Sequence, residues 1–208
     1  MSMHDYELFI FDWDGTLSTS MMIVRVSNLL RIRYRKKHIL KHKEDYIAKA
    51  GRNIKAIERA DGFYSKLYDI YSRFAKPSLK PGALELLEEL KRRGKKVAIF
   101  SDSQNYRLML EARTLGIVDK VDFILSASSI DSYKPDPSGL MLIARKYNKS
   151  VKKCLYVGDM PSDIATARFA GMDSCALGDG LSTYDMLKEV GPDYIFKNTR
   201  ALLREISY

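Results

Sequence analysis

Cysteine is scarce in this 208-residue chain, with 2 in all, Cys154 and Cys175, and they lack the spacing of a metal site. Both lie in strand-like apolar runs, where a free thiol behaves as a small hydrophobe, so they are expected to be reduced and structural. No apolar stretch approaches the roughly 20 residues needed to cross a bilayer, which argues against a membrane-spanning helix. The N-terminus has no basic region followed by an apolar stretch and cleavage site, and the cytoplasm is the expected compartment. Histidine is also rare, at 3 residues. His38 and His42 stand four apart in a helical pattern, the spacing of two metal ligands, but Arg33, Arg35, Lys36, Lys37, Lys41 and Lys43 around them point to a solvated basic face. There is no internal repeat and no low-complexity segment.

What the chain does have is enough apolar sequence for a real core, 46% of residues, in a length that suits one large domain or a core with a small insert. Strand-like runs occur at Leu8 to Phe11, Val97 to Phe100, Phe123 to Leu125, Leu155 to Val157, Ser174 to Leu177 and Tyr194 to Phe196. Helical patterns fall between them: Ala83 to Arg93 closed by Gly94, Tyr106 to Leu115 closed by Gly116, Ser138 to Tyr147, and Ile164 to Ala170 closed by Gly171. Strands alternating with helices that stop at glycine imply a doubly wound α/β fold, a mainly parallel Rossmann-like sheet covered on both faces.

Residues 18–80 break the alternation. Ile23, Val26 and Leu30 keep helical spacing, as do Phe63, Leu67, Ile70 and Phe74, with Tyr64, Tyr68 and Tyr71 beside them, so a small helical bundle is expected. Its aromatic stripe reads as core. This segment holds 16 Lys and Arg against 5 Asp and Glu, or +11, in a chain whose net charge is +9. The whole positive excess thus belongs to one insert, which suits a module facing an anion.

The chemistry is written at four places. Phe9-Ile10-Phe11 runs into Asp12-Trp13-Asp14-Gly15-Thr16, which puts paired acids at the carboxyl end of a buried strand, where open α/β sheets place their sites. Ser101 follows Val97-Ala98-Ile99-Phe100 and precedes Asp102-Ser103, a helix start whose backbone N–H groups suit an anion. Lys134 is flanked by Pro135 and Pro137, which stiffen its loop. Gly158-Asp159 and Asp163 follow Cys154-Leu155-Tyr156-Val157. Each has an ordinary structural explanation as turn or cap. Yet Asp12, Asp159 and Asp163 gathered at one sheet edge would repel one another without a cation, and hard oxygen ligands favour Mg²⁺, which also binds substrate phosphate.

Together and in this order the four segments resemble the haloacid dehalogenase superfamily, over residues 8 to about 172, and within it the phosphoglycolate phosphatase branch. The resemblance implies a core of residues 1–17 and 81–208 with a helical cap at 18–80, inserted just after the first motif. It makes Asp12 the nucleophile that forms an aspartyl-phosphate, and Asp14 the general acid and then base. Ser101 and Lys134 serve the phosphoryl group, with Trp13 and Asp102 on the substrate side. Mg²⁺ is held by Asp12, Asp159, the backbone carbonyl of Asp14, and Asp163 either directly or in support. Lys49-Ala50-Gly51-Arg52-Asn53 looks like the specificity loop of related caps, which places Arg52 at the substrate.

The expected activity is a Mg²⁺-dependent phosphatase for a small anionic phosphomonoester. A phosphomutase using the same nucleophile is the nearest alternative. The basic, tyrosine-containing insert keeps a nucleic-acid-binding protein or polynucleotide phosphatase in view, because Lys and Arg contact phosphates and aromatics stack on bases.

Overall fold

A computed structural model describes residues 2–19 and 77–208. The expected cap lies outside the described residues except at its two ends, and with it His38, His42, Arg52 and most of the excess charge.

Among the described residues the strands are β1 (Leu8–Phe11), β2 (Ser18–Thr19), β3 (Ser78–Leu79), β4 (Lys96–Ser101), β5 (Phe123–Ser126), β6 (Cys154–Gly158), β7 (Asp173–Leu177) and β8 (Tyr194–Phe196). The helices are α1 (Ala83–Arg92), α2 (Asn105–Thr114), α3 (Ser138–Lys146), α4 (Pro161–Ala170), α5 (Tyr184–Val190) and α6 (Thr199–Ser207). Six strands form one parallel sheet in the order β5-β4-β1-β6-β7-β8. The chain winds outward from β1 to β5, then crosses to the other side of β1 for β6, so β1 borders the topological switch point where such sheets bind ligands.

Strand side chains alternate between faces, and the core divides accordingly. Phe9, Phe11, Val97, Ile99, Leu155 and Val157 join Leu86, Leu87 and Leu90 of α1, Leu108 of α2 and Leu202 and Ile206 of α6. Leu8, Ile10, Ala98, Phe100, Cys154 and Tyr156 join Leu140 and Ile143 of α3 and Ala167 and Ala170 of α4. Because β1 is buried along its whole length on both faces, it reads as an unbroken apolar run. Each fully buried Leu or Phe here stabilises the fold by about 1.5–3 kcal/mol.

The helix after β4 covers the predicted Tyr106–Leu115 pattern to within a residue at each end, but it does not start at Asp102-Ser103. α2 begins at Asn105, and Ser101-Asp102-Ser103 forms a turn in which the N–H of Ser103 donates to Ser101 Oγ at 3.2 Å. A serine hydroxyl competes with helix at such positions by binding its own backbone two residues on. α4 starts earlier than expected, at Pro161, which is suited to a first helical turn. Helices α5 and α6 have no counterpart in the sequence reading. α5 is a single short element with Leu187 as its buried residue, and α6 shows a narrow stripe of Leu202 and Ile206 behind the cap residue Asn198.

Two short strands bracket the undescribed segment. Ser18 pairs with Leu79 and Thr19 with Ser78 in antiparallel register, so the chain leaves and re-enters the core side by side.

Candidate active site

Sheet register sets the site. Phe11 is level with Ile99 of β4 and with Val157 of β6, so the residues that follow all three strands emerge at one edge. Asp12 begins that edge, its N–H donating to the carbonyl of Val157 at 2.8 Å.

Asp12, Asp159 and Asp163 are all buried, and one carboxylate oxygen from each lies within 4.8 Å of the others. Lys134 reaches into this cluster, with Nζ 2.8 Å from Asp12 Oδ1 and 2.7 Å from Asp163 Oδ1, and is itself only 6% exposed. Asp163 is further held by the backbone N–H groups of Asp159 and Met160, which donate to its Oδ2 at 3.0 and 2.8 Å. The Tyr156 hydroxyl, anchored on the carbonyl of Phe100, stands 3.3 Å from Asp163 Oδ1. Glycine at 158 is what admits this carboxylate, since a Cβ there would collide with the Asp163 side chain.

The electrostatics follow from that crowding. Burial pushes the Asp12 carboxyl well above the usual carboxylate range, and the charges of Asp163 and Asp159 add to the rise against the opposing Lys134. Asp159 is pushed up to about 7, by burial first and Asp163 second, although Thr16 and the N–H of Leu181 donate to it. Lys134 is raised well above its ordinary value: burial works against its charge, but Asp12 and Asp163 outweigh it. With all three ionised, the carboxylates exceed the one ammonium by two negative charges, and the donors are all hard oxygens. That donor set fits a divalent cation of the Mg²⁺ type.

Around this centre stand the other expected residues. Ser101, at the end of β4, is buried, and its hydroxyl lies 3.1 Å from that of Ser103. The anion-binding helix start expected at Asp102-Ser103 is not formed there, because the N–H of Ser103 is taken by Ser101 and that of Asn105 by Ser128 Oγ at 3.1 Å. Asp102 braces the lysine loop, accepting the N–H of Lys134 on Oδ1 at 3.1 Å. The Trp13 side chain, expected on the substrate side, is fully buried among core residues, its indole Nε1–H donating to Glu111 at 2.6 Å. The Asp14 carboxylate accepts from the Ser103 hydroxyl and from the guanidinium of Arg107. Arg52 lies outside the described residues.

A family profile described as haloacid dehalogenase-like hydrolase matches residues 6–171. The chain belongs to the haloacid dehalogenase-like hydrolases. Among curated relatives, a phosphoglycolate phosphatase from Pasteurella multocida is 28% identical over 72% of this chain and 65% of its own length. A phosphatase from Mycobacterium tuberculosis is 38% identical over 44% of this chain and 43% of its own length. The chain therefore matches less than two thirds of the length of these relatives. A hydrolase from Pseudomonas syringae shares the fold with a TM-score of 0.75 at 21% identity, covering 97% of this chain and 98% of that one. Among the described residues no helix is long and apolar enough to cross a membrane.

Sequence reasoning about this haloacid dehalogenase-like hydrolase missed four contributors: Thr16, Tyr156, Arg107 and Glu111. Arg107 and Glu111 do carry a signal, an Arg and a Glu four apart on one helix face, but that spacing usually marks a surface pair. Lys80 was missed as well. It is buried, and its Nζ donates to the carbonyls of Gly15 at 3.0 Å and Asp179 at 2.8 Å, joining the re-entering chain to the first motif.

Proposed function

We propose that this protein is a Mg²⁺-dependent phosphatase that hydrolyses a small anionic phosphomonoester through an aspartyl-phosphate on Asp12. The observation that carries the reading is the buried contact of Lys134 with Asp12, set within a carboxylate cluster that fits a divalent cation.

A phosphate monoester resists attack because its charge repels nucleophiles, so the site must offer a fixed nucleophile and fixed positive charge. Mg²⁺, held by Asp12, Asp159 and the Asp14 carbonyl with Asp163 in support, would supply charge that offsets the repulsion between phosphate and carboxylate. Lys134 contributes a second, covalently fixed charge beside the attacking group. The Asp12 carboxylate attacks phosphorus and the ester oxygen leaves with a proton from Asp14. Asp14 then takes a proton from the water that attacks the phosphorus of the aspartyl-phosphate, which frees Asp12 and releases inorganic phosphate. In this reading Ser101, at the tip of β4, donates to a phosphoryl oxygen.

The relatives named as phosphoglycolate phosphatases favour a small phosphorylated acid as substrate. In this reading the basic insert and its Arg52 meet the acid's non-reacting end. A phosphate-release screen with Mg²⁺ over phosphorylated acids, sugars and nucleotides tests it. Turnover strongest on a small phosphorylated acid is the expected result. No phosphate release from any of them would overturn it, and isomerisation without release would mark a phosphomutase.

A further inference from the structure

Asp14 is clamped from one side. Both of its carboxylate oxygens accept from Nη2 of Arg107, and Oδ2 also accepts from the Ser103 hydroxyl. Arg107 lies in the first turn of α2, with Nε 3.5 Å from Glu111 Oε1 one turn further along that helix. Glu111 in turn receives the indole N–H of Trp13 on Oε2 at 2.6 Å. Trp13 and Asp14, neighbours in the chain, are thus both tied to one face of α2. The bridge is largely sheltered: the side chains of Arg107, Asp14 and Glu111 are 14%, 17% and 6% exposed.

We propose that Arg107 is the positioning residue for Asp14, with Glu111 and Trp13 as the brace that holds Arg107 in place. The inference rests on the acid-base role given to Asp14 above. An ionised carboxylate has about four lone-pair sites. Among the described residues the contacts from Arg107 and Ser103 occupy three of them and leave one on Oδ1, which in this proposal is where Asp14 carries the proton it gives to the leaving group and takes back from the water. An aspartate on a loop would otherwise sample several rotamers, and a displacement of about 1 Å at such a group can cost on the order of 100-fold in rate. Arginine suits the task because its rigid planar guanidinium keeps Nη2 oriented while its Nε edge faces the Glu111 carboxylate in a 3.5 Å ion pair, whereas lysine offers a single flexible ammonium. Burying Trp13 has the same logic: the indole spends its only donor on Glu111 and so pins the chain on the near side of Asp14.

The test is a double-mutant cycle in the full-length protein with Mg²⁺ and a substrate that the wild type turns over. Arg107→Met is expected to lower kcat by about 10- to 100-fold with KM nearly unchanged, since the effect passes through a proton-transfer group. Arg107→Lys should recover part of the loss. Asp14→Asn with Arg107→Met should be no slower than Asp14→Asn alone, because Arg107 then has nothing left to position. Independent, multiplying losses would overturn the proposal, as would a raised KM with normal kcat, which would make Arg107 a substrate contact. If Arg107→Met fails to fold by circular dichroism, the same cycle with Arg107→Lys decides. A wild type that releases no phosphate from any substrate would sink the phosphatase reading itself, which separates the two failures.

Discussion

Gly15 and Asp159 meet without room for a side chain: a Cβ at residue 15 would fall on the Asp159 carboxylate, and Gly15 holds φ at +85°. This contact draws the loop after β1 against the loop after β6. It lets Thr16 Oγ1 donate to Asp159 Oδ1 at 3.0 Å.

Gly15→Ala should therefore destabilise the protein by about 1–3 kcal/mol, through both the left-handed backbone and the collision. Gly94→Ala is the comparison. Gly94 has φ at +70° but open space where a Cβ would go, so it suffers the backbone strain alone. Urea unfolding of the two variants checks the order, and equal losses would remove the Asp159 contact from the account.

Asp12→Asn should reduce turnover to background, because an amide is a poor nucleophile of nearly the same shape. It also deletes one of three crowded buried carboxylates. In chelator the variant should melt no lower than wild type, and added Mg²⁺ should narrow or reverse any advantage. Thermal melts with and without the ion, beside a phosphate-release assay, read both effects.

Chelation should abolish activity and Mg²⁺ restore it. The ion should also raise the melting temperature, since a ligand present at 100 times its dissociation constant stabilises the native state by about 2.7 kcal/mol. Asp159→Asn should shift the half-saturating Mg²⁺ concentration upward in both assays. A melting temperature indifferent to Mg²⁺ would argue against a cation at these carboxylates.

Lys134→Ala should lower kcat at saturating Mg²⁺ by roughly 100-fold or more, the usual loss when a fixed stabiliser of transition-state charge is removed. It also leaves Asp12 and Asp163 facing each other without their shared ammonium. Breaking a buried ion pair from one side typically costs about 3–5 kcal/mol. Adding Asp12→Asn to Lys134→Ala should regain part of that stability, and denaturant unfolding measures it.

The two thiols should be inert in the folded protein. Burial pushes Cys154 up to about 12 and raises Cys175 as well, and both side chains are shut away from solvent. At pH 8 a thiol reagent should label neither until denaturant opens the core. Rapid labelling of the native protein would contradict the buried placement.

The amino-acid sequence by itself determined the architecture. The apolar run of β1 continues directly into Asp12, and β4 and β6 beside it are legible in the same way, because parallel strands buried on both faces must be apolar along their length, while the outer β5, β7 and β8 showed as shorter apolar runs. The order of Asp12, Ser101, Lys134 and Asp159 along the chain was readable too, since each sits just beyond or near a strand end. Only the tertiary structure decided which side chains meet. Sheet register brings Asp12 beside Asp159 and Asp163, residues far along the chain from it, and Lys134 between Asp12 and Asp163. It also turned Trp13 into the core and made Ser101-Asp102-Ser103 a turn ahead of α2, where local serine hydroxyls win over helical hydrogen bonding. The pairing of Asp14 with Arg107 was beyond reach of pattern alone: an arginine in a helix looks the same in sequence whether it faces water or a carboxylate 93 residues away, and only packing of α2 on the sheet settles it.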